Sequence, residues 1–303
     1  LYSNNYCYFL DGVTGADLHS FDFSEAVDGI SAIPDITGDG SMEMVAGGRN
    51  GKLVCYSGGI SASGPSVKLD LTAFFEGPFN GTEMNAFLNT LGYIPLSQPF
   101  NMPPWNYNGT ESVSSLPSAD IVDWILIELR ETAGGPSTAT SGTIIGQQAA
   151  FIMKNGDIRT MDGTGLPEFN LTINDNLYLV LWCRNHLGIM SANPLVESGG
   201  IYAYDFSTGA GQVYGDLLAH KEIGSGIWGM IGGDGDANGQ VGNQDKVDVW
   251  VPQSGSSGYL PSDFDMNGNS NNQDKIDVWA PNSGAGNQVP DLSGPVFECQ
   301  VPE

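Results

Sequence analysis

Residues 234–250 read DGDANGQVGNQDKVDVW, and 29 positions further on residues 263–279 read DFDMNGNSNNQDKIDVW. The two stretches open a tandem repeat, 234–262 and 263–291, that aligns without a gap. Asp234, Asp236, Asn238, Gly239 and Asn243 recur as Asp263, Asp265, Asn267, Gly268 and Asn272. Gln244-Asp245-Lys246 returns as Gln273-Asp274-Lys275, and Asp248, Trp250 and Pro252 return as Asp277, Trp279 and Pro281. Repetition of this fidelity means that one supersecondary unit is used twice.

Each copy offers a cage of oxygen. With Asp234 as position 1, oxygen-bearing side chains fall at positions 1, 3, 5 and 12, and glycine falls at position 6. A 12-residue calcium loop needs this spacing: side chains at 1, 3 and 5, a backbone carbonyl at 7, a closing carboxylate at 12, and glycine for the sharp turn. The expected ligands are Asp234, Asp236, Asn238, Gln240 (through its carbonyl) and Asp245. Their counterparts are Asp263, Asp265, Asn267, Asn269 and Asp274. Without a cation, two of these carboxylates about 4 Å apart at an effective dielectric of ~20 repel by roughly 4 kcal/mol. Magnesium fits less well, because it prefers a smaller octahedral shell and keeps its waters.

A tandem D-x-D/N-x-N-G loop closed by Asp, each copy followed by a helix, resembles the dockerin type I repeat. The resemblance implies two half-EF-hands related by a pseudo-twofold axis. It also implies a docking face for a cohesin module at Asn243, Gln244 and Lys246 and at Asn272, Gln273 and Lys275. Two departures weigh against cohesin docking. Position 8 is aliphatic in the family, which Val241 satisfies and Ser270 does not. The exit helices are also expected to be short, since Pro252 and Pro281 should stop them.

The remaining chemistry of the chain places it outside the cell. Its 303 residues suffice for two or three domains. Thirty-five acidic residues against ten basic ones leave a net charge of −25, which argues against nucleic acid and anionic membranes as partners. No run of 18 apolar residues is present to span a bilayer. An acidic, Gly/Asn/Ser-rich composition suits a secreted bacterial protein in millimolar calcium. The start at Leu1, without initiator Met or signal peptide, reads as a piece of a longer, processed polypeptide. Cys7, Cys55, Cys183 and Cys299 are too few and scattered for a disulfide framework and form no CxxC pair. Cys7 and Cys55 have similar contexts and are read either as a pair across neighbouring strands or as free thiols.

The expected architecture is mainly β: a propeller-blade fragment, a β-sandwich, then a small α module with the calcium loops. Residues 1–60 read as strands, with Tyr6–Leu10 and Leu18–Phe23 on either side of a turn at 11–15. The segment Asp35-Ile36-Thr37-Gly38-Asp39-Gly40-Ser41-Met42-Glu43 resembles the loop of FG-GAP or quinoprotein-like propeller blades. That resemblance implies a third calcium site at Asp35, Thr37, Asp39 and Glu43. Residues 61–66 form a linker by composition.

Residues 67–230 read as the sandwich. Strands are expected over Val67–Phe75, Ile121–Arg130, Thr143–Lys154, Asp157–Met161, Asn176–Arg184, Ile201–Phe206 and Gly211–Leu217. A short helix over Thr82–Leu91 places Met84, Phe87, Leu88 and Leu91 on one face. The Pro- and aromatic-rich connection 92–117 carries Trp105 and Tyr107, which either stack on a glycan or pin the loop to the sandwich. The arrangement from Phe75-Glu76-Gly77-Pro78-Phe79 through Pro104-Trp105 to Arg184-Asn185-His186-Leu187 resembles Bacteroidetes-type secreted surface proteins, often labelled haemagglutinin-like and exported by a type IX system. Dockerin-like calcium repeats follow at 231–291, and 292–303 read as a tail.

No recognised catalytic motif appears. His19, His186 and His220 share no metal spacing; His186 falls at a strand end, where it either stands as a catalytic residue or, the commoner case, caps a turn. Asp123, Glu128 and Glu131 are not placed as a glycosidase pair. The expected function is therefore a non-catalytic, calcium-stabilised extracellular surface, adhesion or structural protein. The alternatives are an ancillary region of a secreted polysaccharide-degrading enzyme held on a scaffold through its repeats, or a self-assembling filament subunit.

Overall fold

A computed structural model describes residues 2–3, 5–10, 17–34, 43–56 and 66–290. The chain is mainly β and divides into two compact units, Leu1–Gly64 and Pro65–Glu303.

In the first unit, strands Tyr2–Ser3, Tyr6–Leu10 and Asp17–Asp22 form one antiparallel sheet. Val27–Ile33, Glu43–Gly48 and Leu53–Tyr56 form a second. Neither is by itself the four-stranded sheet of a propeller blade. Cys7, Phe23, Val27 and Ala46 make a small shared core, with Ile30, Met44 and Val54 packed against it. Cys7 and Cys55 are both free thiols, the first buried and the second exposed.

The second unit is organised around Ile121–Thr132, whose first ten residues are all buried. A strand apolar on both alternating faces belongs at the centre of a covered sheet, and this one lies third of five in the order 158–159, 144–153, 121–132, 176–182, 189–190. A four-stranded sheet, in the order 168–170, 66–72, 201–205, 196–198, contributes Val67, Leu69, Leu71 and Phe169 to the same core. Ile201–Asp205 runs parallel to Ser66–Thr72, a crossover invisible to periodicity. The segment 92–117 is tied to the large sheet. Trp124 Nε1 donates to the Pro95 carbonyl at 2.8 Å, and the Ala149 N–H donates to Glu111 Oε1 at 3.2 Å.

Three expectations need correction. Gly211–Leu217 is not a strand but two single 3₁₀ turns, Ala210–Gln212 and Asp216–Leu218, either side of Gly215 at φ +96°. Only Phe87–Thr90 of the expected helix forms. Upstream of it, Asn80 Oδ1 accepts from the N–H groups of Thr82 and Glu83, and the Met84 N–H donates to the Lys154 carbonyl, so the backbone is committed elsewhere. Met84 and Leu88 are buried while Phe87 and Leu91 stay exposed, so the four do not share a face. The third correction concerns the repeat helices. Asp245–Trp250 and Asp274–Trp279 wind as π-helix, the Val251 N–H donating to the Lys246 carbonyl and the Ala280 N–H to that of Lys275. Each continues as an α turn, Val251–Gln253 and Ala280–Asn282, that contains the proline. In an all-α helix the Pro252 ring would meet the carbonyl four residues earlier; the wider turn relieves that conflict.

Among the described residues, no helix is long and apolar enough to cross a membrane.

Candidate metal centre

Within each loop the carboxylates fold inward. Asp234, Asp236 and Asp245 bring one oxygen each within 4.8 Å of one another, and Asp263, Asp265 and Asp274 do the same. Asp234, Asp245, Asp263 and Asp274 are buried. The loop backbone winds around them through matched bonds. Asp245 Oδ1 accepts from the N–H groups of Gly235 (2.7 Å) and Asp236 (3.2 Å), and its Oδ2 accepts from Gly242 (2.6 Å). Asp274 repeats this with Asp265 (3.1 Å) and Asn271 (2.7 Å). Gly239 and Gly268 both sit at φ +87°, where a Cβ is disfavoured, and their N–H groups donate to Asp234 Oδ2 and Asp263 Oδ2.

Asn238 donates Nδ2–H to Asp236 Oδ2 at 2.8 Å and accepts the Gln240 N–H on its Oδ1 at 2.9 Å. Asn267 makes the same pair of bonds with Asp265 Oδ2 (2.7 Å) and the Asn269 N–H (2.9 Å). The ten residues expected at the two cages are thus gathered by fives into the two loops.

The electrostatics call for positive charge. Burial pushes Asp245, Asp263, Asp265 and Asp274 up to about 6. Asp234 is raised well above the usual carboxylate range, by burial first and then by Asp245 and Asp236. Its Oδ1 is buried and has no hydrogen-bond donor. A desolvated anion with an unpaired oxygen must find a proton or a cation. The donor set is all oxygen, as a hard divalent ion requires.

The two loop–helix units clasp each other about a pseudo-twofold axis. Trp279, on the second helix, donates its indole N–H to the Gly242 carbonyl of the first loop, and Trp250 donates to Asn271 of the second, each at 2.8 Å. Lys246 lies over the Trp279 ring at 4.9 Å and Lys275 over Trp250 at 4.3 Å. Val241 exchanges backbone hydrogen bonds with Gly284 and Ala285, and Ser270 does so with Gly255 and Ser256. The symmetry breaks where the core needs it: Gly235 leaves the space that its counterpart Phe264 fills, and Phe264 packs with Trp250 and Val278.

The second loop is also bolted to the sheets. Asn185 donates to the Asp263 carbonyl at 2.7 Å. Arg184 donates Nε–H to Asp123 Oδ2 at 2.9 Å, donates from Nη1 to the Leu260 carbonyl, and lies 4.2 Å over the Tyr259 ring. The Tyr259 hydroxyl donates to Asp123 Oδ1 at 2.6 Å. His186 is buried, stacked on Phe75 at 4.9 Å, and accepts the Gly77 N–H on Nε2. Its Nδ1 therefore carries the proton shared with Asn185 Oδ1. Gly77 has no room for a side chain, since a Cβ there would strike the Phe264 carbonyl. Asp123, Arg184, Asn185 and Tyr259 carry no sequence signal for this role, because their partners lie tens of residues away.

Of the third expected site, Asp35, Thr37 and Asp39 lie outside the described residues; Glu43 is buried at the start of its strand. Trp105 and Tyr107 are half-buried and pack against the main core, Trp105 edge-on to Phe100 at 5.2 Å. The Tyr107 hydroxyl is bonded to Glu111 and to the Gln147 carbonyl. Pinning the loop accounts for both rings.

Compared with known protein families, curated proteins and solved structures, the chain finds no match.

Proposed function

We propose that this is a calcium-stabilised extracellular protein with a structural or binding role, in which loops 234–245 and 263–274 each hold one calcium ion. The observation that carries the reading is the pair of desolvated carboxylate triads, one with a buried oxygen that no donor reaches. Asp234, Asp236, Asn238 and Asp245, with the Gln240 carbonyl, would hold the first ion. Asp263, Asp265, Asn267 and Asp274, with the Asn269 carbonyl, would hold the second. The ion supplies the charge that lets the carboxylates stay close, and binding free energy becomes folding free energy.

The mutual clasp of two loop–helix units supports the dockerin-like reading, and an acidic chain with calcium loops supports a secreted setting. Cys183 Sγ lies 3.8 Å from His186 Nδ1, and the state of this pair speaks against catalysis there. Both side chains are buried, with the thiol pushed up to about 12 and the imidazole held down to about 3, the reverse of an activated nucleophile and base.

Elemental analysis of the purified chain, with thermal melts in calcium and in EDTA, tests the proposal. Two calcium ions per chain and a melting point lowered by about 10 °C or more in EDTA are expected, since metal at ~1,000 Kd contributes about 4 kcal/mol. Asp245→Asn and Asp274→Asn should each remove one ion. No bound calcium and no shift in EDTA would overturn the reading.

A further inference from the structure

The three residues Glu76, Lys221 and Asn282 come from segments far apart in the chain and meet where the sheets join the second repeat. Glu76 follows strand Ser66–Thr72, Lys221 lies in strand His220–Gly224, and Asn282 ends the helix after the second loop. Lys221 Nζ donates to Glu76 Oε1 and, at 2.9 Å, to Asn282 Oδ1. Asn282 Nδ2 donates to Glu76 Oε2 at 2.6 Å and to the Gly232 carbonyl at 2.9 Å. The Gly232 N–H also donates to Glu76 Oε2, at 3.1 Å. Two acceptors on one side of the amide fix its orientation: nitrogen toward the acid, carbonyl oxygen toward the amine.

A salt bridge needs only Lys221 and Glu76. The third member, an amide whose leaving nitrogen rests on the carboxylate and whose carbonyl faces the amine, is what an ion pair does not explain. An amine, an acyl group and a proton carrier within hydrogen-bond reach, the last two largely removed from water, are the parts of an acyl transfer. Asn282 is 6% exposed as a residue; the Glu76 side chain is 12% exposed and that of Lys221 36%.

We propose that Lys221 and Asn282 form an intramolecular isopeptide bond, with Glu76 carrying the protons, so that the second repeat is covalently joined to the sheets. Glu76 Oε1 takes a proton from the Nζ ammonium, and the neutral amine attacks Asn282 Cγ. The Nζ–Cγ bond forms, Glu76 delivers its proton to Nδ2, and the Cγ–Nδ2 bond breaks. Nζ sheds two protons in all; both end on the departing nitrogen, which leaves as ammonium while Glu76 returns to carboxylate. No oxidant or cofactor enters. A cleft of about 240 Å³ lined by Lys221, Asn282, Leu217 and Pro281 gives the ammonium a way out.

Intact-mass measurement on the full chain decides the matter. The expected mass is about 17 Da below that of the sequence, the loss of one ammonia, and a tryptic map should hold one branched peptide joining Lys221 to Asn282. Lys221→Arg keeps the positive charge but not the nucleophile, and Glu76→Gln keeps hydrogen bonding but not the proton carrier. Each should return to its full sequence mass. A full sequence mass in the parent chain, with both residues recovered in linear peptides, would overturn the proposal. So would a loss that persists in Lys221→Arg, which would trace it to succinimide at an Asn-Gly step such as Asn50-Gly51 or Asn108-Gly109.

Discussion

Asp234 shows how the repeats use buried charge. A carboxylate 3% exposed, with one oxygen unpaired and two like charges beside it, destabilises the metal-free fold. The consequence is a pH dependence whose sign follows from linkage. Asp245, Asp263, Asp265 and Asp274 rise from the usual 3.8 to about 6 in the metal-free fold. Their contribution to stability is thus present below about pH 4 and lost as pH rises through about 6. His186 and His220, held by burial down to about 3 and about 4, act in the opposite direction: their contribution is present above about 6.5 and lost as pH falls. The loops are read from the difference between the metal-loaded and metal-stripped forms. The rise in melting temperature on adding calcium to metal-stripped protein should be small at pH 5 and several-fold larger at pH 7.5. Calorimetry at the two pH values checks this, and an equal rise at both would remove the carboxylates from the explanation.

At the scale of elements, each helix closes the other repeat's loop. Trp279 holds the first loop at Gly242, and Trp250 holds the second at Asn271. Replacing either indole by phenylalanine removes one hydrogen bond and leaves a carbonyl without its partner, a cost of about 1–2 kcal/mol. The effect on metal should cross over: Trp279→Phe weakens calcium at 234–245, and Trp250→Phe weakens it at 263–274. Calcium titrations of each variant in an Asp245→Asn or Asp274→Asn background, where one loop remains, separate the two. A loss confined to the loop on the mutated helix would contradict the clasp. The π-wound first turns belong to the same design, since they let proline occupy the final turn of a helix that still carries its tryptophan across the axis.

At the scale of the whole molecule, the repeats share the packing of the sheets that precede them. Arg184, Asn185 and Glu76 all bridge to residues 232–282: the first two donate to backbone carbonyls within the repeats, and Glu76 accepts from Gly232 and Asn282. Residues 66–290 should therefore melt as one cooperative transition, and calcium should move all of it. Circular dichroism of the sheets and tryptophan fluorescence, followed together in a denaturant series, should give coincident midpoints. Two separated midpoints would show that the repeats unfold independently.

The two oxygen cages were legible in the sequence because ligand spacing is local: within twelve residues the chain has little choice of geometry once Asp, Asn and Gly fall in order. The central strands were legible for a similar reason, since Ile121–Thr132 is apolar on both alternating faces. At Gly211–Leu217 and Thr82–Leu91 hydrophobic pattern is outweighed by glycine conformation and by side-chain bonds to the backbone. Only the tertiary structure decided that 201–205 runs parallel to 66–72 and that each tryptophan serves the other repeat's loop. Only it brought Glu76, Lys221 and Asn282 together. Such contacts join residues tens to hundreds of positions apart, and no periodicity or spacing records them; packing alone selects which distant side chains meet.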